Sequence, residues 1–355
     1  MSWDYWREKR VFLTGHTGFK GSWLSLWLAR LGADVRGYAL EPPTVPSLYE
    51  LASVGDLLES RRADIRDQDR LAAELKDFVP DVVLHLAAQS VVLRSYDDPV
   101  ETYATNVIGT VNLLDALRRI GRPCAVVNVT TDKVYENRRW IWGYRENDVL
   151  GGRDPYSSSK ACAELVARAF RESFFQADGC VGVASARAGN VIGGGDWTPR
   201  QLVPDTVQAL ERGQPVTLRH PGATRPWQHV LDCLSGYLAL AEGVHRDAAR
   251  YADDWNFGPP DAESWPVQRV VETLARHWQV QPCWVRDRET HAHEETELRL
   301  NSQKANRELH WACRLKLDDA LDWTATWYKR HAGGAKARTL CEEQIDRYME
   351  LPVPL

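Results

Sequence analysis

The chain has 355 residues, enough for one large domain or two smaller ones, and its 44% hydrophobic against 26% charged residues allow a substantial core. A formal net charge of -5, with no block of like charges, excludes nucleic acid or an anionic membrane surface as the main partner. No apolar run approaches the roughly 18 residues of a membrane span. The start, Met1-Ser2-Trp3-Asp4-Tyr5-Trp6, is too polar for a secretory signal. The seven cysteines, at 124, 162, 180, 233, 283, 313 and 341, are scattered and form no C-x-x-C pair, so the expectation is a cytoplasmic protein with reduced thiols.

In chain order, "RVFLT" at 10–14 is a short apolar strand. It is followed by "GHTGFKG" and by a helical pattern, Trp23-Leu24, Leu26-Trp27-Leu28, that closes near Gly32. Asp34 to Tyr38 is the next strand candidate, and "PDVVLHLAA" at 80–88 is another. An amphipathic segment from about Val100 to Arg119 carries Val107, Val111, Leu114 and Leu117 at helical spacing. "PCAVVNV" at 123–129 reads as a strand, "YSSSKACAELVARAFRESFF" at 156–175 as a helix, and "CVGVASAR" at 180–187 as a strand. Strands alternating with helices predict a Rossmann-type, doubly wound α/β fold: a parallel sheet covered on both faces, with ligands beyond the carboxyl ends of its strands. The rhythm breaks after Asn190, where "GNVIGGGDW" reads as a glycine-rich loop and "RHPGATRPWQHV" at 219–230 as a polar turn. Residues 1–190 are therefore assigned to a nucleotide-binding domain. Residues 191–355 form a smaller C-terminal substrate-binding region, some of whose elements can return to the core sheet.

Gly15, Gly18 and Gly21 stand at G-x-x-G-x-x-G spacing between a strand and a helix. Such a turn lets backbone approach a pyrophosphate, and the helix start offers unpaired N–H groups to it. The stretch Gly15, Thr17, Gly18, Phe19, Lys20, Gly21 is the expected dinucleotide cradle. Asp64 and Ile65 suit an adenine amine and its apolar wall. Ala87, Ala88 and Gln89 at a strand end leave room for the cofactor. Glu41, beyond the second strand, favours NAD through a ribose hydroxyl, whereas Arg36 would favour a 2′-phosphate; the balance is for NAD.

"YSSSK" sets Tyr156 and Lys160 on one helix face. A nearby ammonium lowers the pKa of a phenol, which is otherwise a poor base at neutral pH, and Lys160 can also hold a nicotinamide ribose. Thr131, at a preceding strand end, can orient a substrate alcohol. On "GHTGFKG", "HLAAQ", "TTDK" and "YSSSK" together, the chain resembles the extended short-chain dehydrogenase/reductase family over most of its length. That resemblance implies a nucleotide-sugar substrate, firmly held NAD, and a homodimer or homotetramer packed through the 100–119 and Tyr156 helices.

The stretch "VTTDKVYEN" at 129–137 narrows this. An epimerase needs only oxidation and re-reduction at C4 of the sugar. A 4,6-dehydratase must also remove the C5 proton and protonate the departing C6 hydroxyl, so it needs an acid and a base beside the C4 site. Asp132 and Lys133 are placed for that pair. Family dehydratases acting on dTDP-glucose carry Asp-Glu at these two positions. The Asp-Lys pair here, with "VYENRRWIWGYREND" and "RAGNVIGGGDW", is similar to those acting on CDP-glucose. The resemblance implies Asp132 as acid at C6 and Lys133 at the C5 base position, where it either takes the proton or stabilises the enolate. Candidate substrate contacts are Arg94, Arg187, Asn190, Trp197, Arg225 and Trp227: arginines for phosphate, an amide for phosphate or sugar, and indoles for a pyrimidine ring or for packing. An epimerase or dehydratase of another nucleotide sugar, and a silent NAD-binding scaffold, stay open. His291, His293, Glu294 and Glu295 read as a solvated turn rather than a metal site.

Overall fold

A computed structural model describes residues 3–175, 180–260, 264–287 and 297–354. Seven strands, β1 (Arg10–Thr14), β2 (Asp34–Ala39), β3 (Glu59–Arg62), β4 (Val82–His85), β5 (Cys124–Val129), β6 (Val181–Ala188) and, after three intervening strands, β10 (Asp254–Phe257), make one sheet. Its spatial order is β10-β6-β5-β4-β1-β2-β3, and every pairing is parallel. The expected doubly wound fold is therefore present. The intervening strands are β7 (Asn190–Ile192), β8 (Val216–Leu218) and β9 (Thr224–His229). The last two are β11 (Ser264–Pro266) and β12 (Trp284–Arg286). They form a sheet ordered β11-β9-β7 and a β12-β8 pair.

The alternation of strand side chains splits the core in two. Phe12, Val83, Val126 and Val183 stand in register across four strands and face one side. There they join Leu71 and Leu75 of helix Gln68–Phe78 and Leu113, Leu114 and Leu117 of helix Gly109–Ile120. Val11, Leu13, Val82, Leu84, Ala125 and Val127 face the other side, against helix Phe19–Arg30 and helix Val230–Arg246. Burial on both faces explains why the central strands read as unbroken apolar runs.

The later part of the chain returns to the core twice. Strand β10 extends the sheet beside β6. Helix Ala337–Glu350 packs on Phe19–Arg30, where Tyr348 meets Trp27 edge-on and Asp346 pairs with Arg30 at 2.7 Å. Three expectations need correction. The segment Thr224–His229 is a strand between two neighbours rather than a polar turn, and Asn190–Ile192 opens the glycine-rich segment as a strand paired to it. The amphipathic segment is also broken: helix Pro99–Tyr103 passes through one wider turn, Ala104–Ile108, into Gly109–Ile120.

Candidate active site

The carboxyl ends of β1, β4 and β5 open into a cleft of about 620 Å³. The sheet runs outward in opposite directions from β1 and β4, which is where such folds seat ligands. Gly15, Thr17, Gly18, Phe19, Lys20 and Gly21 line its floor. Gly15 has φ +76°, and a Cβ there would stand 2.7 Å from the Ala87 nitrogen, so only glycine lets the loop pass this close to β4. A Cβ on Gly21 would overlap the Gly15 carbonyl oxygen. Gly18 caps helix Phe19–Arg30 without a side chain, which leaves the first-turn N–H groups free of a side-chain acceptor at the cleft. This cradle fits the pyrophosphate of a dinucleotide.

Asp64, Ile65, Ala87, Ala88 and Gln89 also line the cleft. Two of their side chains are already engaged. The Asp64 carboxylate accepts from the Arg66 backbone N–H at 2.8 Å and pairs with its guanidinium at 2.6 Å, which holds it below the usual carboxylate range. The Gln89 amide donates to Thr102 and accepts from the Val91 N–H at 2.7 Å. Glu41 lines the cleft beyond β2 and pairs with Arg62 at 3.2 Å. Arg36 does not line it: its guanidinium is held by Glu59, Glu74 and Asp77 and lies over the Phe78 ring.

The reacting end gathers Thr131, Asp132, Lys133, Tyr156 and Lys160. Helix Pro155–Phe170 starts on Asp154, whose carboxylate caps the Ser157 N–H at 2.9 Å, and Pro155 sits at its first position. Tyr156 and Lys160 follow one turn apart. Lys160 is buried and donates from Nζ to the Val129 carbonyl at 2.9 Å, tying the helix to the end of β5. Burial first, and then the charge of Lys20, lower its pKa to about 8. Burial pushes the Tyr156 phenol up, and its contact with the Thr131 side chain offsets part of this.

The two threonines of "TTDK" face different ways. The Thr130 hydroxyl donates to Glu164 behind the cleft, whereas Thr131 donates to Asp132 Oδ1 at 3.0 Å inside it. Asp132 is 1% exposed, not part of a solvated turn. Its Oδ2 has no partner among the described residues. Burial raises its pKa, against the opposing charge of Lys133, so this carboxyl holds its proton to higher pH than usual. A buried carboxylic acid with one oxygen unengaged is equipped to give a proton to a ligand.

Four of the expected substrate contacts line the cleft: Arg94, Asn190, Arg225 and Trp227. Arg94 pairs with Glu101 at 2.7 Å. Asn190 Oδ1 is buried with no partner among the described residues. Trp227 donates its indole N–H to the Trp265 carbonyl at 3.2 Å and sits mostly in the core. The other two are corrected. Arg187 is fully buried, with its guanidinium bound to Glu164, Asp254 and Tyr135, so no phosphate reaches it. Trp197 packs edge-on against Trp327 and Tyr328 instead of lining the cleft. Sequence reasoning missed Asp196 and Arg200, after β7, and Arg219 and His220, directly after β8, all of which line the cleft. The signal was there in the basic pair of "RHPG" after an apolar strand. His291, His293, Glu294 and Glu295 lie outside the described residues, and no cluster with metal-ligand composition occurs among the described ones.

The family model described as GDP-mannose 4,6 dehydratase matches residues 12–324. The chain belongs to this family. Among curated relatives of this dehydratase family, a CDP-glucose 4,6-dehydratase of Salmonella typhimurium is 49% identical over 98% of each chain. A dTDP-glucose 4,6-dehydratase of Streptomyces griseus is 33% identical over 71% of this chain and 72% of the relative. Among solved structures, a dTDP-glucose 4,6-dehydratase of Streptomyces venezuelae with NAD bound superposes with a TM-score of 0.78 at 28% identity, covering 91% of this chain and 98% of that one.

Proposed function

We propose that the protein is an NAD-dependent CDP-glucose 4,6-dehydratase, a hydro-lyase that converts CDP-glucose to CDP-4-keto-6-deoxyglucose. The observation that carries this reading is Asp132, buried, with its pKa raised and one carboxyl oxygen unengaged, one residue from Thr131 in a cleft shared with Tyr156 and Lys160. The 49% identity to a curated CDP-glucose 4,6-dehydratase over nearly the whole chain supports the choice of substrate.

Bound NAD would supply the hydride acceptor for C4 of the sugar and the hydride donor for C6. Gly15 to Gly21 would hold its pyrophosphate, and Lys160 would hold the nicotinamide ribose. Tyr156 takes the C4 hydroxyl proton, with Lys160 supplying the positive charge that favours the phenolate and Thr131 orienting the hydroxyl. The C4 ketone acidifies the C5 proton. Lys133 stands at C5, as base or as the charge that stabilises the enolate. Asp132 gives its proton to the C6 hydroxyl, which leaves as water. A proton then returns to C5 as C6 is reduced, so the net change is loss of one water and the cofactor is regenerated. Asn190 and Arg225 are assigned to the sugar nucleotide. Glu41, at the end of β2, favours NAD over its 2′-phosphate.

A homodimer or homotetramer completes the reading. Pro99, Val100, Tyr103, Ala104, Val107 and Ile108 line an apolar groove of about 480 Å³ on the outer face of the Pro99–Ile120 segment. Val100 is 78% exposed, and Leu165 on the Tyr156 helix is also exposed, a patch that a second copy would cover.

The test is the purified protein with NAD and, in parallel tubes, CDP-, dTDP-, UDP- and GDP-glucose, followed by mass spectrometry of the sugar nucleotide. Loss of one water from CDP-glucose alone supports reaction and base together. Loss from another sugar instead corrects the base. Unchanged mass in every tube removes the dehydratase reading.

A further inference from the structure

Glu164 lies one turn beyond Lys160 and two beyond Tyr156, on the same face of helix Pro155–Phe170. It is buried and, unlike Tyr156 and Lys160, does not line the cleft. Two groups hold it. Arg187 of β6 reaches both of its oxygens, with Nε at 2.9 and 2.8 Å. The hydroxyl of Thr130, the residue before Thr131, donates to it as well. Arg187 then extends the network. Its second nitrogen donates to the Tyr135 hydroxyl at 2.7 Å and to the Glu146 carbonyl at 2.9 Å. Tyr135 stands two residues past Lys133, and its hydroxyl donates to Asn256 of β10 at 2.7 Å.

The turn Thr131-Asp132-Lys133-Val134 is therefore suspended between two anchors, Thr130 and Tyr135, and both end on one buried ion pair. That pair is also fixed to the helix carrying Tyr156 and Lys160. A buried ion pair need not add net stability, while its charge-assisted hydrogen bonds fix the relative placement of the groups they join. We propose that Glu164 and Arg187 are positioning residues that hold the proton-transfer turn in register with the hydride-transfer helix, with the Thr130 hydroxyl as the link that joins them. The inference rests on the dehydratase reading. It follows that elimination, which depends on Asp132 and Lys133, is more sensitive to this link than C4 oxidation, which depends on Tyr156 and Lys160.

Thr130→Val removes the link and keeps the side-chain shape, leaving Glu164 with Arg187. Single turnovers with NAD and CDP-glucose would follow the absorbance of reduced nicotinamide and the mass of the sugar nucleotide, beside wild type, Thr130→Ser and Tyr135→Phe. The expected result is C4 oxidation within about three-fold of wild type, product formation down about 10- to 100-fold, and reduced cofactor accumulating, since small displacements of reacting groups cost about that much. Thr130→Ser restores product formation, and Tyr135→Phe shows the same split as Thr130→Val. Product formation at the wild-type rate in Thr130→Val, or oxidation and product formation falling together, overturns the inference. A wild-type protein that forms no dehydrated product overturns the underlying reading instead, which separates the two failures.

Discussion

Asp132 shows how far burial changes a side chain's chemistry. An aspartate after a strand is ordinarily an ionised surface group. Here the Val129–Lys133 segment turns it under the cleft, where loss of solvent outweighs the charge of Lys133 and raises the pKa of the carboxyl above its ordinary value. Asp132→Asn preserves size but has no acid proton to give. It is expected to lower product formation roughly 10²-fold or more while C4 oxidation continues, seen as reduced cofactor in a stopped-flow trace. In wild type, product formation should fall as pH rises through the raised pKa of Asp132, and this fall should be absent from the residual oxidation by Asp132→Asn. The residue types of this site, Tyr156, Lys160, Thr131 and Asp132, were legible because their spacing is local to one strand end and one helix start. Arg187 and Trp197 were not. An arginine beside a glycine-rich segment reads as a phosphate ligand until the fold places Glu164 and Asp254 around it, and those partners lie 23 and 67 residues away.

At the scale of elements, the glycine turn between β1 and helix Phe19–Arg30 is the tightest constraint. Gly15→Ala puts a Cβ against the Ala87 nitrogen at a positive φ. The strain is about 1–3 kcal/mol, so NAD binding measured by calorimetry should weaken about ten-fold or more. Unchanged affinity would contradict the assignment of this loop. The exposed face near Leu165 and Ile108 gives a second prediction. Leu165→Glu with Ile108→Glu should shift the protein to monomer in analytical ultracentrifugation. A monomeric wild type would dismiss the proposed interface. The central strands were readable because both faces are buried and their runs are apolar. Strand β3, "ESRR", was not. It is an edge strand whose side chains pair with charges such as Glu74, so it carries no apolar pattern to detect. Strand β9 was misread for a related reason: Thr224, Arg225 and Gln228 are polar, and their strand form is set by β7 and β11, far along the chain.

For the whole molecule, the return of the C-terminal helices to the core leaves one buried acid with a consequence for stability. Asp232, in the first turn of helix Val230–Arg246, accepts from the Arg314 N–H at 2.6 Å and from the Tyr348 hydroxyl at 2.8 Å, and burial raises its pKa to about 7. The folded state thus holds this proton more tightly than the unfolded chain. The stabilisation is complete below the ordinary carboxylate pKa and is lost as pH rises through about 7. Between pH about 5 and about 8, Tm of wild type should fall more steeply than that of Asp232→Asn, measured by calorimetry. Equal slopes would show that Asp232 is ionised in the folded protein. The proposed 4,6-dehydration requires that one hydride leave C4 and arrive at C6 of the same sugar. CDP-glucose deuterated at C4, incubated with the protein and NAD, tests this directly by NMR of the product. The expected product has lost water, keeps its deuterium, and carries it at C6. Deuterium found back at C4 of a sugar that has lost no water would contradict the account.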